Sequence, residues 1–248
     1  MARPLRIQFP GAVYHITCRG NERRDIFRDD KDRTTFLDIL ARSLKIYEVN
    51  LFSYVLMENH FHLLVETSRG NLAEFMRHFN ISYTGYFNRR HRRIGHLYQG
   101  RFKSILVDKD AYLSVLSRYI HLNPVRTRGT KDKKPEEKIH VLLAYRWSSL
   151  RGYVHKSAKE RIVEYGTVLG EYGGDNENGR RAYRGRILAD LAEGLEVKEQ
   201  VVGQSVLGGE DFVEWVKRKF LEVRRDRERP SVKALHNNGK LWVSALDS

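Results

Sequence analysis

Residues 49–66 read VNLFSYVLMENHFHLLVE: two apolar runs rich in aromatic and β-branched side chains, separated only by Glu58 and Asn59. Such runs around a two-residue polar break specify two strands joined by a tight turn. Strands joined that closely can pair only antiparallel. Any fold for this chain must therefore accommodate a hairpin that carries two histidines, His60 and His62, on its second strand.

The flanking segments extend the pattern. GAVYHITCRG (11–20) reads as a strand ending at Gly20. Asp29 and Asp30 open a helix with Phe36, Leu37, Leu40, Leu44 and Tyr47 at helical spacing. Asn71 is placed to cap a long helix whose apolar stripe runs from Leu72 through Phe75, Met76, Phe79, Tyr83 and Tyr86 to Phe87. A basic loop (88–100) leads to a strand at 101–107. Asp108 then precedes a last helix, which Asn123–Pro124 closes because the residue before proline is pushed out of the helical region. The order β-α-β-β-α-β-α predicts an α+β fold with the split β-α-β antiparallel sheet of ferredoxin-like domains.

GTKDKKPEEK (129–138) is charged, contains a proline and lacks a strong apolar pattern, so it reads as a boundary. The expected organisation is a first domain over 1–128, a mostly helical C-terminal extension over 139–223, and a basic tail over 224–248 where periodicity fades. No internal repeat is evident.

Charge narrows the partners. The 248 residues carry 45 Lys+Arg against 31 Asp+Glu, a net +14, which suggests a polyanion, nucleic acid before anionic membrane. No apolar run approaches the roughly 20 residues of a spanning helix, and the N-terminus does not read as a signal peptide. The expectation is a cytoplasmic protein with no membrane partner. The single cysteine, Cys18, excludes an intramolecular disulfide and a cysteine-based zinc knuckle.

Residues i and i+2 of a strand share a face, so His60 and His62 project together while Phe61 and Leu63 point away. Two imidazoles so placed can hold one divalent ion, although the pair alone is a weak signal. The helix SRYIHLNPVR (117–126) adds Tyr119 and Asn123, which share a helix face at i and i+4. Packed across the sheet, it would offer Asn123 as an oxygen ligand and Tyr119 beside the ion, leaving coordination positions open as in catalytic sites. His121 points roughly 200° away from Tyr119 and is left out of the ligand set. A tyrosine beside a metal makes sense as a nucleophile. Its phenol is only about one part in 10³ ionised at neutral pH, and a cation that polarises a phosphate lowers that barrier. The product would be a covalent phosphotyrosine.

ENHFHLLVE with SRYIHLNPVR downstream resembles the histidine–hydrophobic–histidine (HUH) single-strand nucleases. More narrowly, it resembles the single-tyrosine transposases associated with repetitive extragenic palindromes (REP). Supporting stretches are GAVYHITCRGNERRDIF (11–27), YFNRRHRRIGHLYQGRFKSILVD (86–108), LNPVR (122–126) and YRWSSLRGY (145–153), with a weaker one at GQSVLGGEDF (203–212). The resemblance implies that His60 and His62 bind Mg²⁺ or Mn²⁺, that Asn123 completes the site, and that Tyr119 attacks DNA to give a 5′-phosphotyrosine and a 3′-hydroxyl. Ligand chemistry alone would favour zinc, nickel or iron on imidazoles, so the choice of metal comes from the resemblance. Related proteins act as monomers or as homodimers with shared sites, and both arrangements stay open.

Between Arg89 and Lys103, the cations Arg89, Arg90, Arg92, Arg93, Arg101 and Lys103 interleave with His91, His96, Tyr98 and Phe102. Cations that track phosphates beside aromatics that stack bases are the expected surface for single-stranded or hairpin DNA. RGNERR (19–24) supplies Arg19 and Asn21 as further contacts, and the mixed-charge stretch 217–229 is a candidate additional DNA module. Two rivals stand beside the nicking and rejoining enzyme. One is a domesticated, non-catalytic hairpin-binding protein. The other is an RNA-binding module on a ferredoxin-like sheet, which the lack of a glycine- and aromatic-rich strand signature disfavours.

Overall fold

The structure, a computed structural model, describes residues 6–195, 201–202 and 205–220. Strand β1 (Ala12–Arg19) leads into helix α1 (Asp30–Tyr47), the hairpin β2 (Val49–Leu56) and β3 (His60–Thr67), helix α2 (Leu72–Arg90), strand β4 (Lys103–Val107) and helix α3 (Lys109–Leu122). These strands lie in the order β2-β3-β1-β4, and β3 pairs antiparallel with both β2 and β1. This is the split β-α-β arrangement expected from the sequence.

The pleat sorts the two faces. Phe61 turns towards α1 and α2, with its ring 4.9 Å from Phe36 and 5.9 Å from Phe79. Helix α3 covers the other face, where Ser117 Oγ lies 2.6 Å from Ser53 Oγ of β2. Asp29 caps α1 by accepting the Asp32 amide at 3.0 Å. Asn71 stands at the N-cap of α2 but makes no capping bond; its Nδ2 donates instead to the Tyr47 carbonyl at 2.9 Å. That bond ties the two helices of this face together.

After α3 the chain continues through α4 (Pro135–Ala144), α5 (Leu150–Val154), α6 (Gly166–Gly170) and α7 (Glu177–Glu193), then short strands β5 (Val201–Val202) and β6 (Val206–Leu207) and helix α8 (Glu210–Phe220). Pro135–Lys138, read as part of a boundary segment, form the first turn of α4, where proline's missing N–H costs nothing. The extension is not helical throughout. β6 adds to β4 in parallel and β5 follows, making a six-stranded sheet. Two-residue strands are too short to leave a periodic signal.

The C-terminal helices pack directly on α3. Tyr183 of α7 places its hydroxyl 2.9 Å from Ser117 Oγ and 2.8 Å from His121 Nδ1. The outer edge of β2 is also covered, through bridges from Leu51 to Val163 and from Val55 to Ser148. Among the described residues no helix is long and apolar enough to cross a membrane. The tail expected at 224–248, and most of the cationic stretch 217–229, lie outside the described residues.

Candidate active site

Across the β1–β3 ladder His60 pairs with Arg19 and His62 with Thr17, so all four side chains share the face under α3. His60 Nδ1 lies 2.7 Å from Asn59 Oδ1. Asn59 Nδ2 is already donating to the Arg23 carbonyl at 3.0 Å, so Oδ1 is the acceptor and His60 carries its proton on Nδ1. The lone pair of His60 is then on Nε2, which makes no hydrogen bond to a described residue.

His62 also spends Nδ1 on the protein, 2.9 Å from His15 Nε2 and 3.2 Å from Thr17 Oγ1. The His60 and His62 rings stand 5.1 Å apart at 78°. Burial, reinforced by the positive charge of Arg19, lowers His60 to about 4, and burial with the neighbouring His15, His60 and Arg19 drives His62 well below its ordinary value. At neutral pH both rings are uncharged, the state in which imidazole binds a metal.

Helix α3 brings Tyr119 to this face. Its ring meets His15 edge-on at 6.1 Å, and His15 in turn stacks on His62 at 5.2 Å. The Arg126 guanidinium stands 4.7 Å from the Tyr119 ring centre. Tyr119 is only 4% exposed. Asn123 ends the helix by donating Nδ2 to the Tyr119 and Ile120 carbonyls at 3.0 and 3.3 Å, and it makes no hydrogen bond to either histidine. His121 faces away, as expected, with Nδ1 on Tyr183 and Nε2 on Ser149 Oγ, each at 2.8 Å.

The donor set fits a divalent ion in part. His60 and His62 each hold Nδ1 against a protein partner, which is how metal-binding histidines are oriented. Among the described residues no group of three or more His, Cys, Asp or Glu side chains could hold a metal. An ion here would rest on the two Nε2 atoms and draw its other ligands from an amide oxygen, water or a bound phosphate.

Residues 8–123 match the family described as “Transposase IS200 like”. Over that stretch, just under half of the chain, the protein is similar to IS200-like transposases. No curated protein matches the sequence. Among solved structures, the chain is similar to a REP-associated tyrosine transposase bound to a REP hairpin. The two are 15% identical with a TM-score of 0.51, over 68% of this chain and 93% of that one. At that identity the likeness is one of fold, and it agrees with the α+β sheet described above.

The fold distributes the expected DNA contacts unevenly. Lys103 pairs with Thr17 across β1, which puts it in one row with His62. Lys103 and Arg101 are exposed. Arg19 faces His60, and the Asn21 amide donates to the Leu97 carbonyl at 2.8 Å, joining the end of β1 to the basic loop. Arg92 is exposed at a loop position of φ 49°, and Arg93 is tied by Nη2 to the His96 carbonyl at 2.9 Å.

Three of the expected contacts lie where the geometry gives them less access to DNA on the histidine face. Arg89 lines the groove between α1 and α2 with Ile39 and His78, on the side of the sheet away from the histidines. Arg90, itself exposed, is paired with Asp29 at 2.6 Å and with the fully buried Asp32, so its charge is already matched by two carboxylates. Tyr98 is 8% exposed and packs edge-on against Phe61 at 6.1 Å, so its ring is core and offers no face for a base.

His15, Thr17 and Asn59 were missed. The available signal was the alternation of His15, Thr17 and Arg19 along β1, a strand that the ferredoxin-like order puts beside β3. Which of these would reach His62 depended on a register that the sequence did not disclose.

Proposed function

We propose that this chain is a metal-dependent single-stranded DNA endonuclease and strand transferase. It cleaves near hairpin-forming palindromic DNA through a 5′-phosphotyrosine. The observation that carries the reading is the approach of Tyr119, from α3, to the His15–His62 stack, on the face that carries both candidate ligands, His60 and His62. In the step proposed, Tyr119 Oη forms a bond to the scissile phosphorus and the P–O3′ bond breaks. The phenol loses its proton and the departing 3′ oxygen gains one. When bound through His60 and His62, Mg²⁺ or Mn²⁺ would polarise the phosphate and offset its growing charge. Asn123, at the end of the Tyr119 helix, is the proposed third ligand. Arg19 and Lys103, on the same face, would meet flanking phosphates. The solved relative's REP hairpin supports a hairpin partner here.

The test uses end-labelled hairpin oligonucleotides with Mn²⁺ or Mg²⁺, read on a denaturing protein gel. The expected result is a metal-dependent adduct that disappears in Tyr119→Phe and in His60→Ala. An adduct that survives Tyr119→Phe removes the nucleophile assignment. One observation favours the second reading, a non-catalytic hairpin-binding protein: the near-complete burial of Tyr119. Attack on DNA requires that hydroxyl to be uncovered. Tight hairpin binding with no adduct across a broad panel would decide for this second reading.

A further inference from the structure

We infer that the turn after α3, residues 126–134, is a docking surface for the sugar–phosphate backbone of DNA beside the candidate site. The inference deepens the DNA-cleaving reading above and rests on it. In the sequence the overlapping stretch 129–138 reads only as a boundary. Within the turn, Arg126, Arg128, Lys131, Lys133 and Lys134 stand against one acid, Asp132.

The fold brings these charges to the candidate nucleophile. Arg126, half-buried, forms the inner end of the turn. Its guanidinium lies 4.7 Å from the Tyr119 ring centre, and its Nη2 donates to the Leu195 carbonyl at 2.6 Å. Its amide donates to the Asn123 carbonyl at 3.1 Å, so the turn starts from the backbone of the proposed third ligand. Further out, Arg128, Lys131, Lys133 and Lys134 are exposed.

The turn is braced. Thr130 Oγ1 donates to the Pro124 carbonyl at 3.0 Å and lies 2.9 Å from Thr127 Oγ1. The Lys131 and Lys133 amides donate to the Thr127 and Thr130 carbonyls at 2.8 and 3.1 Å. Cations on a braced backbone lose less conformational freedom on meeting a phosphate than cations on a free coil. Glu136 and Glu137, the acids next in the chain, sit in the first turn of α4, where the helix dipole accounts for them. Of the outer cations, Lys133 is 3.5 Å from Glu137 in an exposed pair that a phosphate can replace.

A scissile phosphate that meets Tyr119 has neighbours on either side in the same strand. Arg19 and Lys103 project from the sheet, whereas the turn continues the helix that covers it, so a strand passing Tyr119 meets cations borne by both. Their fields add. The turn has no aromatic side chain to stack a base, so its contacts are to phosphate and carry no sequence preference.

The test follows the anisotropy of a labelled hairpin oligonucleotide with single-stranded flanks, across a salt series, with the full chain and a chelator so that no metal is needed. The triple variant Arg128→Gln, Lys131→Gln, Lys134→Gln should lower the slope of log K against log[salt] by about 2–3. It should weaken hairpins of different sequence equally. Arg181→Gln with Arg184→Gln, which removes exposed charges from α7, should keep the wild-type slope. A wild-type slope in the folded triple variant, or an equal loss per charge in the α7 variant, overturns the inference. Lysine acetylation of the wild type needs no variant: Lys131 and Lys134 protected by bound oligonucleotide support the surface, and equal modification with and without it overturns it. A wild type that binds no oligonucleotide overturns the DNA reading itself and this inference with it.

Discussion

Arg118, the residue before Tyr119, donates its Nε–H to Asp190 Oδ2 of α7 at 2.6 Å, and both side chains are buried. Helix α3 thus has two occupied sides. One carries Tyr119 towards the histidines, and the other is held by the C-terminal helices through Arg118, Ser117 and His121. The extension is part of what fixes the position of the candidate nucleophile.

Removing Asp190 leaves Arg118 charged and buried without its acidic partner, whereas Asp190 also pairs with Arg186 at 2.8 Å. Asp190→Leu should cost about 3–5 kcal/mol. The double change Arg118→Met with Asp190→Leu should cost clearly less than the two single losses summed. Urea unfolding of the four proteins provides the comparison, and additive losses would show that the charges are not coupled.

Gly152 meets the Tyr165 ring so closely that an added Cβ would overlap its hydroxyl, while the Gly152 carbonyl accepts from the buried Arg180. Gly152→Ala should destabilise by about 1–3 kcal/mol. A thermal midpoint equal to wild type would mean that Tyr165 moves aside freely.

Two buried histidines outside the proposed ligand set predict a pH dependence. Burial holds His15 at about 4 and His121 at about 3, against 6.5 for an unrestrained ring. Between those limits the unfolded chain binds more protons than the folded one, so stability rises with pH through the window and is lost as pH falls from about 6.5. In the presence of a chelator, the urea midpoint should drop between pH 7 and pH 5. His121→Gln should flatten the drop. A midpoint constant over that range would contradict the neutral, buried state of both rings.

Hairpin affinity should fall steeply with salt, and Arg101→Ala or Lys103→Ala should each reduce the slope of log K against log[salt] by about 1. Arg90→Ala should behave differently. Its partners are Asp29 and Asp32, so the expected effect is loss of stability with the slope unchanged. Fluorescence anisotropy across a salt series separates the two behaviours.

Much of the architecture is set by local pattern. The apolar runs either side of Glu58–Asn59, the helical spacing after Asp29 and the stop at Asn123–Pro124 each declare an element from its own residues. Their order then leaves few arrangements besides a split β-α-β sheet. The strict two-residue period of a strand likewise puts His60 and His62 on one face wherever that strand lies.

Partnership across the sheet is another matter. His15 reaches His62 because β1 and β3 pair in a register that places it diagonally opposite, and register is a property of two strands packed together. Arg90 looks like its neighbours in sequence until the fold brings Asp29 and Asp32 against it. Tyr98 reads as a base platform until Phe61 covers its ring. The sequence by itself determined which elements form and which way each side chain points within its element, because those depend on neighbours a few residues away. Only the tertiary structure decided which charges are matched by carboxylates of the same molecule, which rings are core, and which histidines meet, because each depends on groups distant along the chain.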